Sequence, residues 1–391
     1  MALIDKLTAI ANAIRSKTGS TDPLSLDDMP TAIEGIQSGS GGESTAVEPY
    51  IEETYDDSGG LIDVNMVGYS KVRSYAFYGC KKLALTSLPS GLTSIGSYAF
   101  YNCSNLALTS LPSGLTNIES YAFQNCLNLA LTSLPSGITS ISNYTFHSCS
   151  NLDLTSLPSG LTSIGSYAFY KCRNLALTSL PSGLTSIGKD AFCNCSNLAL
   201  TSLPSGLTNI ESYAFQNCKN LALTSLPSGL TNISDSAFSS CSNLALTSLP
   251  SGLTSIGNYA FSSCSNLALT SLPYGITSIG REAFYGCSNL ALTSFPDSIT
   301  SIGQWAFRDC TLLPSTIVLP SSLTIFNSGV FKGVNVTTIT FTRKLTSVMS
   351  DMLSISDYPN LTTINVPWSQ GEVNYAPWGA KNATINYNYT G

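Results

Sequence analysis

Apolar residues recur along most of the chain in one fixed order. Residues 106–128 read LALTSLPSGLTNIESYAFQNCLN, with Ser, Thr, Asn and Gly between the apolar positions. The same order returns every 23 residues from about Tyr69 to Leu313. The clearest column is that of the cysteines, at positions 80, 103, 126, 149, 172, 195, 218, 241, 264, 287 and 310. Because an insertion would break a stack of repeats, this constant spacing predicts that each unit is one coil of a solenoid.

Within one coil the pattern predicts two short strands and a helical turn. Residues 106–111 predict the first strand, which Pro112 ends because proline has no N–H to donate. The Ser-Gly pair that follows is typical of a turn, and residues 115–118 predict the second strand. The segment from Tyr121 to Gln124 predicts a single helical turn, in which these two side chains share one side.

The N-terminus has a different period. Its apolar residues fall at helical spacing and predict an amphipathic helix with one apolar stripe. The stripe comprises Leu3, Ile4, Leu7, Ile10 and Ile14. We expect this N-terminal helical module, residues 1–37, to attach the chain to another protein or to self-associate. The alternative is a helix that folds back on the second half of the module.

The remaining boundaries follow from composition and pattern. Residues 38–46 (SGSGGESTA) predict a flexible linker, and residues 47–68 a hairpin that caps the first coil. Residues 69–335 form the repeat solenoid, and residues 336–391 a degenerate repeat with a C-terminal cap. The predicted fold is therefore a β-rich solenoid of 23-residue repeats, with short strands and one helical turn per coil, capped at both ends and preceded by a small helical module.

Charge and hydropathy exclude several classes of function. Up to Asp63 there are twelve acidic and three basic residues, whereas from Lys71 onward there are eleven acidic and fourteen basic residues. The repeats therefore have no strong field, and we expect no nucleic-acid partner. No apolar run reaches the length of a membrane span. The opening MALIDKLTAI carries charges where a secretion signal would be apolar, so we expect the chain to be made and kept in a cytoplasm or released by lysis.

The candidate chemistry is sparse. Eleven of the twelve cysteines occupy one column, where parallel side chains suit a disulfide poorly. The sequence therefore predicts a buried column of reduced thiols, with Cys193 outside it and partly exposed. The single histidine, His147, has no recurring carboxylate partner, and there is neither a metal-ligand cluster nor a phosphate loop. We expect no catalytic residue, no metal and no cofactor, and hence no enzyme.

The repeat resembles a known family. A Cys, a Leu three residues on, a Pro turn, an Ile and then Ala-Phe before the next Cys resemble the BspA-like, or Treponema-type, leucine-rich repeat. The resemblance covers about Tyr69 to Pro367 and implies a leucine-rich-repeat solenoid. This sequence departs from the family at Leu108 and Thr109, where polar and apolar residues are exchanged, which puts the pleat of the first strand in doubt.

The two ends resemble a different group. The opening LIDKLTAIANAIRSKTGSTDPLSLDDMPTAIEGI looks like a module at the head of tail and baseplate proteins of phages and prophages. The ending APWGAKNATINYNYTG looks like the end of similar prophage-encoded repeat proteins. These resemblances imply a virion protein that is held to the tail or baseplate by its N-terminus. They imply a homo-oligomer such as a trimer, whose repeats bind a host-surface glycan or protein.

The positions flanking each Ala-Phe pair vary most between coils, and we expect them to lie on one lateral stripe. Tyrosine offers an apolar ring with a polar hydroxyl, which suits recognition of sugars or of protein surfaces. The candidate receptor-binding residues are Tyr98, Tyr101, Tyr121, Gln124, Tyr144, His147, Tyr167 and Tyr170. The alternative is that the rings only stack on one another. Two other functions remain open: a structural arm of the tail that recognises nothing, and a bacterial surface adhesin.

Overall fold

The computed structural model describes residues 50–346 and 350–390. The chain divides into two units, Met1–Val47 and Glu48–Gly391, and the description below concerns the second. The predicted helical module, with its stripe of Leu3, Ile4, Leu7, Ile10 and Ile14, lies outside the described residues, as does the predicted linker. Among the described residues, no helix has the length and apolarity needed to cross a lipid bilayer.

The described chain begins with an antiparallel hairpin formed by β1 (Tyr50–Tyr55) and β2 (Leu61–Val67). Asp56 shapes its turn, because one carboxylate oxygen accepts hydrogen bonds from the N–H groups of Ser58 and Gly60. β1 is exposed along its whole length, whereas β2 buries part of one face. The N–H of Ala84 donates to the carbonyl of Ile62 at 2.8 Å, so β2 lies against the first coil.

The rest of the described chain is a β-solenoid of about 14 turns with a repeat of about 23 residues. Each regular coil contributes one two-residue parallel strand, in which the polar residue faces out and the apolar residue is buried. These strands are β3 (Lys71–Val72), β4 (Ser94–Ile95), β5 (Asn117–Ile118), β6 (Ser140–Ile141), β7 (Ser163–Ile164), β8 (Ser186–Ile187), β9 (Asn209–Ile210), β10 (Asn232–Ile233), β11 (Ser255–Ile256), β12 (Ser278–Ile279), β13 (Ser301–Ile302) and β15 (Ile325–Phe326).

These strands pair in register with the neighbouring coils, isoleucine beside isoleucine. They form three separate parallel sheets. The first contains β3 to β5, the second β6 to β9, and the third β10 to β13 together with β15. A fourth parallel sheet lies at the C-terminal end, in the order β14, β16, β17 and β18. Its strands are β14 (Thr316–Val318), β16 (Thr338–Thr340), β17 (Thr363–Asn365) and β18 (Thr384–Asn386).

The strand predicted at residues 106–111 is absent, and so are its equivalents in the regular coils. One backbone bond joins this segment to each neighbouring coil: the N–H of Ala107 donates to Leu85 at 3.2 Å, and Leu108 accepts from the N–H of Ala130 at 3.1 Å. One bond per coil is too few for a ladder, so the segment is extended but is not a strand. Only from β14 onward does this side of the solenoid form a regular sheet.

The predicted helical turn is also wrong, since no helix occurs in the described part of the chain. Alternate N–H groups of this segment point to the next coil: that of Tyr121 donates to Asn143 and that of Phe123 to Thr145, at 3.1 and 2.9 Å. A helix directs every N–H along its own axis. The alternation instead requires left-handed residues, which are Tyr121 at φ 64° and Asn125 at φ 60°.

The core is built from stacked columns. Phe123 is fully buried and lies between Phe100 and Phe146, with ring centroids 5.4 and 5.7 Å away. In the cysteine column the thiol of Cys126 donates to the carbonyl of Phe100 at 3.0 Å. Burial, as the main cause, raises the pKa of this thiol well above its usual value.

No disulfide joins the twelve cysteines, all of which lie within the described ranges. The prediction of a partly exposed Cys193 is wrong, since only 2% of this residue is exposed. Its thiol lies against Gln216 of the next coil, 3.5 Å from the amide oxygen. Neighbouring coils therefore cover positions that a single repeat would leave open.

Candidate functional site

The candidate site is a lateral stripe formed by the residues on either side of each Ala-Phe pair. We call the following residues of the first five coils the aromatic stripe. Its inner column is Tyr75, Tyr98, Tyr121, Tyr144 and Tyr167, and its outer column is Tyr78, Tyr101, Gln124, His147 and Tyr170. The predicted site residues are therefore brought together, and the rings of Tyr98 and Tyr101, 5.6 Å apart, lie on the same side of their coil.

The rings of the inner column stack face to face. Successive centroids are 4.9, 4.4, 4.6 and 4.6 Å apart, with interplanar angles between 5° and 11°. In the outer column Tyr78 stacks on Tyr101 and His147 on Tyr170, both at 4.8 Å. The stripe is thus a double row of rings, spaced by the pitch of the coils.

The backbone of the inner column is unusual for tyrosine. Every tyrosine of that column has a φ between 57° and 64°, in the left-handed region. A left-handed conformation costs a residue with a side chain about 1–2 kcal/mol. Tyr98, Tyr121 and Tyr144 each stack on two neighbours, and two stacked pairs return about 1–3 kcal/mol. Stacking therefore offsets the backbone cost at this position.

Other coils build the same turn without an aromatic residue. Asp190, Ser236 and Glu282 occupy the inner-column position at φ values of 55°, 54° and 52°. The Phe column continues past them without a gap, at 5.4 Å beside Asp190 and 5.6 Å beside Ser236. The fold therefore accepts a small or charged residue where the first five coils have tyrosine.

Stacking limits what the aromatic stripe can do. Within the columns each ring face is covered by its neighbour, so a ligand meets ring edges and phenol hydroxyls rather than open faces. The exception is the first coil, where Tyr75 and Tyr78 are 51% and 40% exposed. Burial raises the pKa of Tyr98 and Tyr144, so both keep their hydroxyl protons at neutral pH and can donate them.

Gln124 and His147 interrupt the outer column with polar groups. The amide oxygen of Gln124 is buried and has no hydrogen-bond partner among the described residues. His147 contacts the hydroxyl of Ser148 through Nδ1 at 3.1 Å. Burial lowers the pKa of His147, and the nearby Lys171 lowers it further, so the ring is neutral at pH 7.

The inner column ends at Asp190, which sequence reasoning had not singled out as a site residue. The hydroxyl of Tyr167 donates to this carboxyl, and burial followed by this bond raises the pKa of Tyr167 to about 12. Burial is also the main cause that raises the pKa of Asp190, against hydrogen bonds from Tyr167 and Cys193. A signal was present in the sequence, since Asp190 is the first break in the tyrosine column.

A shallow groove follows the strand face beside the stripe. Its volume is about 450 Å³, and it runs from Ser120 to Glu211 over the serines of β6–β8. Its floor includes Gly165, where an added Cβ would stand 2.5 Å from Asn143 Oδ1. The lining is polar and the groove is open, and sequence reasoning had assigned no role to these columns.

No group of three or more His, Cys, Asp or Glu side chains could hold a metal ion in residues 50–346 or 350–390. The His147 ring lies among tyrosines and glutamine rather than beside a carboxylate. The described site therefore presents hydrogen-bonding groups and ring edges, which suit binding.

A family model and solved structures of other proteins agree with the described fold. The family model for the BspA type leucine rich repeat region matches residues 70–199, 162–291 and 256–376. A leucine-rich repeat protein from Bacteroides ovatus is similar in structure, with 24% identity, a TM-score of 0.61, and coverage of 88% of this chain and 100% of that chain. The pneumococcal vaccine antigen PcpA is similar with 18% identity, a TM-score of 0.52, and coverage of 88% and 97%.

No curated protein sequence matches this chain. The two structural likenesses fall below 25% identity and therefore show the fold alone. The family model matches well over half of the chain, and its residues include every coil that carries the aromatic stripe. The chain thus belongs to the BspA-type leucine-rich repeat family.

Proposed function

We propose that this protein is a surface-recognition protein that binds a bacterial cell surface through its aromatic stripe. One observation carries the proposal. Tyrosine occupies the left-handed position in five successive coils, although Asp190, Ser236 and Glu282 build the same turn in later coils. Since the fold does not need these rings, we infer that they serve the surface.

The chemistry of the stripe favours a hydroxyl-rich, linear polymer as the target. Phenol hydroxyls repeat at the ring spacing of 4.4–4.9 Å. Such a row matches a chain of sugar hydroxyls better than a single small ligand. An open ring face for stacking on a sugar exists only at Tyr75 and Tyr78.

The ends of the sequence support a more specific setting. The likeness of residues 1–37 to tail and baseplate modules, and of the last residues to prophage repeat proteins, supports a phage or prophage tail-tip or fibre protein. In that setting residues 1–37 hold the chain to the virion, as a possible trimer, and the repeats contact the host.

A structural arm without recognition is the second candidate. The specific observation in its favour is that ring faces within the stripe cover one another, as they would if the rings only sealed the edge of the coils. A bacterial surface adhesin would use the same stripe and differs in where the protein is displayed.

Binding to intact cells separates recognition from the structural arm. Labelled full-length protein is incubated with candidate host cells, with and without their purified cell-wall polysaccharide as competitor. We expect saturable binding that the polysaccharide removes. Absence of binding to every permissive host, under conditions where the protein stays folded, would refute recognition and favour the structural arm.

A further inference from the structure

On the face of the solenoid that carries the short strands, a regular ladder of backbone hydrogen bonds joins each coil to the preceding one. In most coils the residue after the buried isoleucine donates its N–H to the isoleucine carbonyl of the preceding coil. Gly165 donates to Ile141 at 2.8 Å, and Gly188 to Ile164 at 2.9 Å. Glu211 makes the equivalent bond to Ile187 at 3.0 Å, so a side chain at this position is compatible with the ladder.

Side chains interrupt the ladder at Ser142, Ser234 and Asn327. At Asn327 the side-chain amide donates to the carbonyl of Ile302 at 2.7 Å, but Thr324 still bonds to Thr300 and β13 still pairs with β15. The two serines differ, because strand pairing is lost there. The hydroxyl of Ser142 donates to the carbonyl of Ile118 at 3.0 Å, and that of Ser234 to Ile210 at 2.8 Å. The N–H groups of both serines make no backbone hydrogen bond within the described ranges. The hydroxyl therefore replaces the amide as the donor to this carbonyl.

Hydrogen bonds between threonines of successive coils are also missing beside Ser142 and Ser234. A threonine hydroxyl normally donates to the threonine carbonyl one coil back, as Thr162 does to Thr139 at 3.2 Å. Among residues 50–346, neither hydroxyl nor amide bonds link Thr139 to Thr116 or Thr231 to Thr208. Accordingly β5 does not pair with β6, nor β9 with β10, whereas β6–β9 are continuous.

The turn that follows each serine keeps its bonds to the preceding coil. At the first, Phe123 N–H donates to Thr145 at 2.9 Å, and the rings of Tyr121 and Tyr144 stack at 4.6 Å. At the second, Phe215 N–H donates to Ala237 at 2.9 Å. The missing bonds therefore lie in the strand segment and not in the turn.

Competition for a single carbonyl explains the interruptions. A serine hydroxyl is short enough to reach a nearby backbone acceptor and so competes with the amide. Glutamate at the same position directs its carboxylate elsewhere, as Glu119 does to the N–H of Ser97 at 2.9 Å. It therefore leaves the carbonyl to the amide, and Glu119 keeps its bond to Ile95 at 3.0 Å.

We propose that Ser142 and Ser234 form two joints, at which the strand ladder opens while the backbone bonds of the following turn hold the spacing of the coils. Only Ser142 lies in a coil that carries the aromatic stripe. The two joints divide the solenoid into three stiffer segments, of which the middle one carries β6–β9. The rod can thus bend at defined places without breaking the column of tyrosines. This inference rests on the ladder alone and is independent of the proposed function.

Hydrogen exchange of the full-length protein tests the joints. After correction for intrinsic rates, we expect the amides of residues 139–142 and 231–234 to exchange at least about tenfold faster than those of 185–188. Equal protection of these segments would overturn the proposal.

Two variants and a matched control locate the cause. Ser142→Gly and Ser234→Gly should restore the ladder and slow exchange at each joint by about tenfold or more. The control Glu211→Ser places the same hydroxyl in a continuous ladder, at a position that already carries a side chain and bonds to Ile187, and it should speed exchange at residues 208–211. Unchanged exchange at the joints in the glycine variants would contradict the proposal, as would unchanged exchange in the control.

Discussion

Every regular coil holds the residue before Ala-Phe in the left-handed region, whatever its side chain. Tyr121 does so at φ 64° and Ser236 at φ 54°. Two residues further into the coil this variation ends, since Phe123 is fully buried and every regular coil has Phe there, whereas the position between them accepts either alanine, as at Ala122, or threonine, as at Thr145. At the scale of single residues, the left-handed position therefore lies at the surface, and the Phe position two residues later packs in the core.

This contrast predicts unequal costs for two substitutions two residues apart. Tyr121→Ser should cost about 1–3 kcal/mol, because it removes two stacked pairs while serine keeps the left-handed backbone. Phe123→Ala should cost about 3–5 kcal/mol, because it opens a cavity in the core. Urea denaturation of both variants measures the difference, and equal losses would contradict it.

The half-buried ring of His147 predicts a dependence of stability on pH. Burial lowers its pKa in the folded protein below the ordinary 6.5, so the unfolded chain binds the proton more tightly and stability falls as the pH drops through about 6.5. His147→Gln, the residue found at Gln124 and Gln216 in the same column, should remove this part of the dependence. Thermal melts of both proteins between pH 8 and 5 provide the test. Parallel curves would show that His147 contributes nothing.

Among the elements, the hairpin of β1 and β2 contacts the first coil through the buried Val64 and Met66 and, at its turn, through one lysine. Lys82 Nζ lies 2.6 Å from the carboxylate of Asp56 and also contacts the hydroxyl of Ser58. The bond from Lys82 is the largest cause that lowers the pKa of Asp56. This contribution is present above the ordinary carboxyl pKa near 3.8 and is lost as the pH falls below it.

Lys82→Ala should therefore loosen the hairpin at neutral pH and raise the pKa of Asp56. We expect faster amide exchange across residues 50–67 with little change in the later coils. Lys81→Ala is the matched control, since Lys81 forms no ion pair among the described residues. Identical exchange in the two variants would show that the lysine does not anchor the hairpin.

The sequence predicted some of these elements correctly and missed others. The constant column of cysteines was enough to predict coils, and residues 115–118 do contain a strand, Asn117–Ile118. The helical turn was wrong because the partner of the Tyr121 N–H, Asn143, lies one coil away and leaves no local signal. A hint was available at the second left-handed position, where Gly79, Asn102 and Asn125 are residues that accept positive φ.

The sequence predicted where the candidate site lies but not how its rings are arranged. Column variation alone brought Tyr121 and Gln124 onto one stripe, yet it could not show that the rings cover one another's faces. The joints were hidden for a similar reason, because Ser142 and Gly165 differ only in which donor reaches a carbonyl in the preceding coil.

For the whole molecule, each coil contacts only its neighbours, so stability should be close to a sum over coils and their interfaces. Residues 106–126 and 198–218 are identical in sequence. Removing residues 127–218 therefore joins Cys126 to Lys219 without creating any interface that the natural chain lacks.

The shortened chain should fold and lose roughly 19 Å of length, at about 4.8 Å for each of the four coils. It also loses Tyr144, His147, Tyr167 and Tyr170 from the aromatic stripe. Circular dichroism should show a cooperative melt, and small-angle scattering should show the shorter rod. An unfolded or aggregated product would contradict the additive description of the coils.

The most direct test of recognition by the aromatic stripe is the binding of one multiple variant to intact host cells. It combines Tyr98→Ser, Tyr121→Ser, Tyr144→Ser and Tyr167→Ser, and its control is Tyr274→Ser, which removes a tyrosine that is 90% exposed in a turn outside the stripe. With both proteins folded, the account predicts at least about a tenfold loss of affinity for the multiple variant, equivalent to about 1.4 kcal/mol, and none for the control. Unchanged binding of a folded multiple variant would contradict it.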